Sequence, residues 1–269
     1  MMTAEQRYLF DLHGYLLVRN ALSAEELAAA RAAAEHYVAT PSEQLPDGFR
    51  VDGKRYLNGF AFDPALERLA LHPSTWPIVT ELTRGRPRLA SGTLQVDDAS
   101  EGASEAMRLH CARDDFGWDA IRYEVRNGRI FCDHTVVFPY LSDVHPGDGG
   151  LLVVPGSHKS MFERPPELFN NGTIETLDAL PEGVVNVTPR AGDMVVMNEL
   201  VTHGVLPWTP RGHDRTRMIL VLRYVPQYQR NRDLPEAIQR RLSPDTLELT
   251  SHAGYQDVKE IVRRDTTAS

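Results

Sequence analysis

Two histidines and an arginine, residue types that can do chemistry, stand in suggestive places. His110 closes the run Ala106-Met107-Arg108-Leu109 and precedes the polar loop Ala112-Arg113-Asp114-Asp115. His203 lies 93 residues further on, and Arg217 follows it by 14, opening the apolar run Met218-Ile219-Leu220-Val221-Leu222. An imidazole can ligate a transition metal, and a planar guanidinium can grip a carboxylate with two parallel hydrogen bonds. Singly, each residue has a plainer reading. A lone histidine in a β-protein is more often structural than a ligand, and an arginine at a strand start is usually a solvated edge charge. The order histidine, long β-rich stretch, histidine, arginine carries more weight than any one member.

Those residues must be positioned by the elements around them. Residues 3–12 read as a short amphipathic helix broken by Gly14, and Tyr15-Leu16-Leu17-Val18 reads as a strand. Ser23-Ala24-Glu25-Glu26 fits a capping box and opens an alanine-rich helix through Val38. A loop with Pro41, Pro46 and Gly48 follows, then a helical region over 64–84 that Pro73 and Pro77 divide. From about residue 88 the character changes. Short apolar runs over 91–97, 129–141, 150–154, 184–188, 193–198 and 217–225 alternate with Gly, Pro and Asp turns. That spacing predicts a mostly β sandwich or barrel, not βαβ units. The expected organisation is one domain over 1–269, with a helical part over about 1–87, a β-core over about 88–225 and a tail over 226–269.

Composition narrows the classes. The chain has 269 residues, 42% hydrophobic and 25% charged, which is ordinary globular usage and excludes disorder and collagen-like sequence. Two cysteines, Cys111 and Cys132, are too few for a disulfide scaffold or a thiol-rich zinc site. A net charge of −8 argues against gripping a nucleic-acid polymer, while leaving room for a local basic pocket. No stretch has the apolar length of a membrane span or the layout of a signal peptide, so a cytoplasmic protein is expected.

Several blocks resemble the phytanoyl-CoA dioxygenase family: Asp143 through Lys159, which contains Pro155-Gly156-Ser157-His158, then Pro189-Arg190-Ala191-Gly192-Asp193, and His203 to Tyr224. Gly14-Tyr15-Leu16-Leu17-Val18 with its capped helix is similar too, so the resemblance covers roughly residues 8–225. It implies a double-stranded β-helix (jelly roll, cupin-like) with flanking N-terminal helices. The cofactors implied are Fe(II), 2-oxoglutarate and O2. By that resemblance His110 and His203 are the iron ligands, and Arg217 pairs with the far carboxylate of 2-oxoglutarate. Thr135 is the candidate for a second 2-oxoglutarate contact, and His158 is structural.

One position departs from the family. Most members carry His-x-Asp, whereas this chain reads His110-Cys111-Ala112, and alanine cannot bind a metal. In related iron- and 2-oxoglutarate-dependent halogenases the position is Ala or Gly, and chloride occupies the place of the carboxylate. That makes Ala112 part of the expected catalytic set and chloride a cofactor, with Cys111 a small filler. Three other readings remain open: a hydroxylase that recruits Asp114 or Asp115 as the carboxylate, a non-catalytic binding module, and a first ligand at His134 instead of His110.

The substrate is less legible. Arg113, Phe116, Trp118, Arg122 and Trp208, with Tyr123, Arg129 and Arg230 nearby in type, interleave aromatic rings with arginines. That mixture suits a flat anionic metabolite such as a nucleotide monophosphate, although such residues can equally pack on themselves. Size and blocks are similar to standalone halogenases acting on 2'-deoxyadenosine monophosphate, which points to a free small molecule in antibiotic biosynthesis. A carrier-tethered substrate is the runner-up.

Overall fold

Ser23 accepts the backbone N–H of Glu26 while the Glu26 carboxylate accepts that of Ser23, and the helix α2 (Ala24–Ala39) begins where the capping box predicts. Thr3 and Gln6 cap α1 (Ala4–His13) in the same way, and Gly14 ends it at φ 80°. A computed structural model of the chain describes residues 1–101, 106–117, 121–165, 176, 180–210, 216–229 and 233–261.

The strands in chain order are β1 (Tyr15–Val18), β2 (Arg50–Asp52), β3 (Arg55–Leu57), β4 (Pro87–Asp98), β5 (Met107–His110), β6 (Tyr123–Arg126) and β7 (Arg129–Cys132). They continue as β8 (Thr135–Pro139), β9 (Gly150–Val153), β10 (Val185–Asn186), β11 (Met194–Asn198), β12 (His203–Leu206) and β13 (Thr216–Pro226). A larger sheet runs β1-β11-β8-β13-β4-β3-β2, a smaller one β10-β9-β12-β5, and β6 with β7 forms a separate hairpin. Every pairing is antiparallel.

Side-chain alternation explains how the layers pack. Met194 and Val196 of β11 join Leu220 and Leu222 of β13 on the outer face, against Phe10 of α1 and Ala30, Ala34 and Tyr37 of α2. Val195, Met197, Ile219 and Val221 turn inward and meet Leu151 and Val153 of the smaller sheet. Strands covered on both faces read as the near-continuous apolar runs seen in the sequence. The result is the expected jelly roll with helices on one outer face. No helix among the described residues is long and apolar enough to cross a membrane.

The part read as helical differs in one respect. Residues 50–57 form the hairpin β2–β3, which extends the larger sheet beside β4. The Asp52-Gly53 turn, with Gly53 at φ 57°, is its signal. The single run expected over 129–141 is two strands that belong to different sheets, broken at Asp133-His134.

Candidate active site

His110 and His203 are direct cross-strand partners on β5 and β12, with ring centroids 4.2 Å apart. Each ring is oriented by its own chain. Nδ1 of His110 lies 2.9 Å from the Arg108 carbonyl, and Nδ1 of His203 lies 2.8 Å from that of Val201. A carbonyl only accepts, so each Nδ1 donates and each neutral ring keeps its lone pair on Nε2. Burial, then the neighbouring His110, pushes the pKa of His203 down to about 4. Two imidazoles fixed through Nδ1, with Nε2 left for a ligand, are the kind of donor pair that a divalent metal uses.

Both rings border a cavity of about 100 Å³ between the sheets, lined also by Gln95, Phe138, Tyr140, Arg217 and Arg223. Arg217 is 2% exposed and lies directly opposite Asp97 in the β13–β4 register. Asp97 Oδ2 accepts from Nε at 3.1 Å and Nη2 at 2.6 Å, while Lys54 reaches Oδ1 at 3.0 Å. Burial alone would raise the pKa of Asp97, but Arg217 and Lys54 outweigh it and hold the carboxyl below its ordinary range. The Trp208 ring lies 5.2 Å from the guanidinium carbon. The remaining guanidinium nitrogen, Nη1, passes so close to Gly150 that a Cβ there would stand 2.5 Å from it. A Cβ at Gly149 would fall 1.9 Å from the Pro207 carbonyl oxygen. Close backbone approach and positive φ thus account for the double glycine.

Ala112 is 2% exposed and opens the five-residue helix Ala112–Phe116, its N–H bonded to the Glu199 carbonyl at 2.9 Å. The neighbouring carboxylates are committed elsewhere. Asp114 accepts from Arg113 Nε at 2.8 Å, and Asp115 accepts both terminal nitrogens of Arg164 at 3.0 Å and the Cys111 N–H at 2.8 Å. Among the described residues no set of three His, Cys, Asp or Glu side chains could hold a metal. Burial pushes the Cys111 thiol up, which disfavours the thiolate a metal would need. His134 sits apart from the histidine pair, between Glu199 (3.6 Å) and Gln229 (3.1 Å).

Other expected site residues are redistributed. Thr135 does not line the cavity, because Phe138 shares the inward face with Val136 while Thr135 falls on the opposite one. Tyr140 does line it, close enough to Arg217 and Asp97 to feel both charges. Trp208 is fully buried under Arg217 and is unavailable as a substrate platform. Arg113 and Phe116 stay near the site. Phe116 packs edge-on to His110 at 5.7 Å, and Arg113 Nη1 donates to the Ser160 carbonyl. Arg122 and Tyr123 pack on the β6–β7 side instead, bonded to Asp133 and Asp11. Trp118 and Arg230 lie outside the described residues. His158 is buried against Gly14, where a Cβ would stand 2.5 Å from its Nδ1, so the Gly14 and Pro-Gly-Ser-His motifs lock together.

Besides Tyr140, three functional candidates carry no mark in the sequence analysis: Asp97, Glu199 and Arg223. Glu199 is 6% exposed and accepts Arg223 Nε at 2.8 Å. Burial opposes its ionisation, but Arg223, His134 and His203 together hold it down at about 2. Period-two alternation from Arg217 would have flagged Arg223; nothing local marks the other two.

The phytanoyl-CoA dioxygenase family profile matches residues 10–209, most of the chain and both histidines. The chain belongs to the phytanoyl-CoA dioxygenase family. It is thereby an enzyme of the Fe(II)/2-oxoglutarate oxygenase superfamily. No curated protein matches the sequence. Among solved structures, HygX from Streptomyces hygroscopicus with nickel and 2-oxoglutarate bound is 25% identical, covering 96% of this chain and 98% of its own at a TM-score of 0.69. HygX also has an iron-bound form. SnoK, a non-heme alpha ketoglutarate dependent carbocyclase from nogalamycin biosynthesis, shares the fold at 22% identity, 90% and 92% coverage and TM-score 0.60. Apo EctD from S. alaskensis does so at 19% identity, 87% and 80% coverage and TM-score 0.62.

Proposed function

We propose that this family member is an Fe(II)/2-oxoglutarate-dependent halogenase that chlorinates an unactivated C–H bond of a small free metabolite. A nucleoside monophosphate such as 2'-deoxyadenosine monophosphate is the favoured substrate, with a place in secondary metabolism. The observation that carries this reading is Ala112. Where the family places a metal-binding carboxylate, this chain has a buried methyl group, and Asp114 and Asp115 are tied to arginines. HygX, with its bound metal and 2-oxoglutarate, supports the cofactor assignment, and SnoK supports a setting in secondary metabolism.

The residues present fit the groups implied. Nε2 of His110 and Nε2 of His203 would hold iron, each ring kept in place by its Nδ1 hydrogen bond. Arg217, anchored along one edge by Asp97, would present its remaining donors to the distal carboxylate of 2-oxoglutarate. Tyr140, which lines the cavity, would make the second contact expected of Thr135. When bound, iron and 2-oxoglutarate supply the O2-dependent oxidation of a C–H bond. The small Ala112 side chain would leave room for chloride, and the cavity walls Phe138, Ile219 and Val221 would keep water from the reacting carbon.

Anaerobic titration of the purified protein with Fe(II) and 2-oxoglutarate should give the weak visible charge-transfer band of a bound chelate, and His110→Ala or His203→Ala should abolish it. With chloride, O2 and 2'-deoxyadenosine monophosphate, mass spectrometry should find a chlorinated product. A product carrying only added oxygen overturns the halogenase reading, and an unaltered band in both histidine variants overturns the metal site.

A further inference from the structure

Arg223 lines the same cavity as the two histidines, yet holding iron and 2-oxoglutarate requires nothing of it. Alternation along β13 turns Arg217, Ile219, Val221 and Arg223 inward together, with the two arginines at opposite ends of that row. Arg217 has two of its nitrogens taken by Asp97. Arg223 gives only Nε, to Glu199 Oε1 at 2.8 Å, and its two terminal nitrogens have no partner among the described residues. Its side chain is 41% exposed, whereas that of Glu199 is 8% exposed. The base of the guanidinium is therefore fixed while its outer fork is reachable from solvent. Through the Ala112 N–H on its carbonyl, Glu199 further ties this arginine to the turn that sets Ala112.

A salt bridge that merely stapled β13 to the turn at Glu199 would not need a bare fork at a cavity wall. Among the described residues Arg217 and Arg223 are the only cations lining that cavity. A guanidinium whose Nε is held by a buried carboxylate loses little freedom when its fork receives two anionic oxygens. We infer that Arg223, oriented by Glu199, is the specificity-determining residue that receives an anionic group of the substrate, a phosphate monoester or a carboxylate. Its importance for the reaction rests on the iron-site reading above; the binding itself does not.

Calorimetric titration with inorganic phosphate, and separately with acetate, tests this on protein saturated with Ni(II) and 2-oxoglutarate, which occupies Arg217. At least one anion should bind saturably. Arg223→Gln should weaken that binding by about tenfold or more, the usual loss for a charged hydrogen-bonded contact. Glu199→Gln should weaken it less, and Arg223→Gln should leave the Ni(II) and 2-oxoglutarate affinities unchanged. Phosphate preferred over acetate assigns a phosphate monoester, and the reverse a carboxylate. No saturable binding of either anion, or native-like binding by Arg223→Gln, overturns the inference. Should Arg223→Gln fail to fold, Arg223→Lys serves, since it keeps the charge but loses the fork, and native-like binding there is equally fatal. If the native protein binds no Ni(II), the iron reading fails separately. The titration is then repeated without metal. Anion binding that excess 2-oxoglutarate leaves in place and Arg223→Gln removes upholds the inference, and binding that 2-oxoglutarate abolishes belongs to Arg217 and overturns it.

Discussion

Asp97 and Arg217 face each other in register across β4 and β13, and one carboxylate oxygen accepts two hydrogen bonds from the guanidinium that lines the cavity. Both side chains are almost wholly buried, at 0% and 2% exposure. Removing one partner strands a charge in a poorly solvated place, which typically costs about 3–5 kcal/mol. Asp97→Ala should therefore lower the urea midpoint strongly. It should also weaken 2-oxoglutarate binding about tenfold, because Arg217 and Lys54 lose the group that fixes them. A midpoint and an affinity both close to native would show that the pair positions nothing.

Ala112→Asp separates halogenation from hydroxylation. A carboxylate restored there would compete for the place assigned to chloride, and two anions cannot share one coordination position. The variant should retain metal and lose chlorinated product, with oxygenated product or uncoupled succinate formation in its place. Asp114→Ala is the matched control and should keep the Fe(II)/2-oxoglutarate band. Loss of that band in Asp114→Ala, together with normal chlorination by Ala112→Asp, would hand the site to Asp114.

Tyr140 and Thr135 make opposite predictions for cofactor affinity. Burial drives the Tyr140 phenol up to about 12, so it stays a neutral hydroxyl beside Arg217. Tyr140→Phe should raise the dissociation constant for 2-oxoglutarate about five- to tenfold, the loss of one hydrogen bond. Thr135→Val should leave it within about twofold, because that side chain faces the other side of the sheet. The converse result in the same titrations would return the role to Thr135.

His158 should make the fold acid-sensitive. Burial, assisted by Lys159 and opposed by Asp11, pushes its pKa from the ordinary 6.5 down to about 4, and neither ring nitrogen has a hydrogen-bond partner among the described residues. The unfolded chain thus takes up this proton first as the pH falls. The stability contribution is complete above about pH 6.5 and declines as the pH drops towards 4, by up to about 1.4 kcal/mol per pH unit. Urea midpoints measured from pH 7 to 4.5 should fall less steeply for His158→Phe than for the native protein. Parallel curves would remove His158 as the cause.

Much of this protein was legible in its residues alone. The capping box at Ser23, the apolar runs of β11 and β13 and the glycine after α1 are local signals, governed by hydrogen bonds and periodicity within a few residues, and each forms the expected element. The hairpin over 50–57 had such a signal too, in Asp52-Gly53, but its strands are too short for periodicity to declare them. His110, His203 and Arg217 were found through motif order, and the structure brings all three to one cavity.

What the chain order could not carry was partnership across the sheets. Asp97 meets Arg217 over a separation of 120 residues, and Glu199 reaches Arg223 and His134 only because three segments close around one end of the cavity. Trp208 looked like a substrate platform because aromatic type says nothing of depth, and burial turned it into the support beneath Arg217. Thr135 had the right chemistry and the wrong parity. In a pleated strand one residue of offset exchanges the cavity for the opposite face, and only the register of the assembled sheet decides which is which.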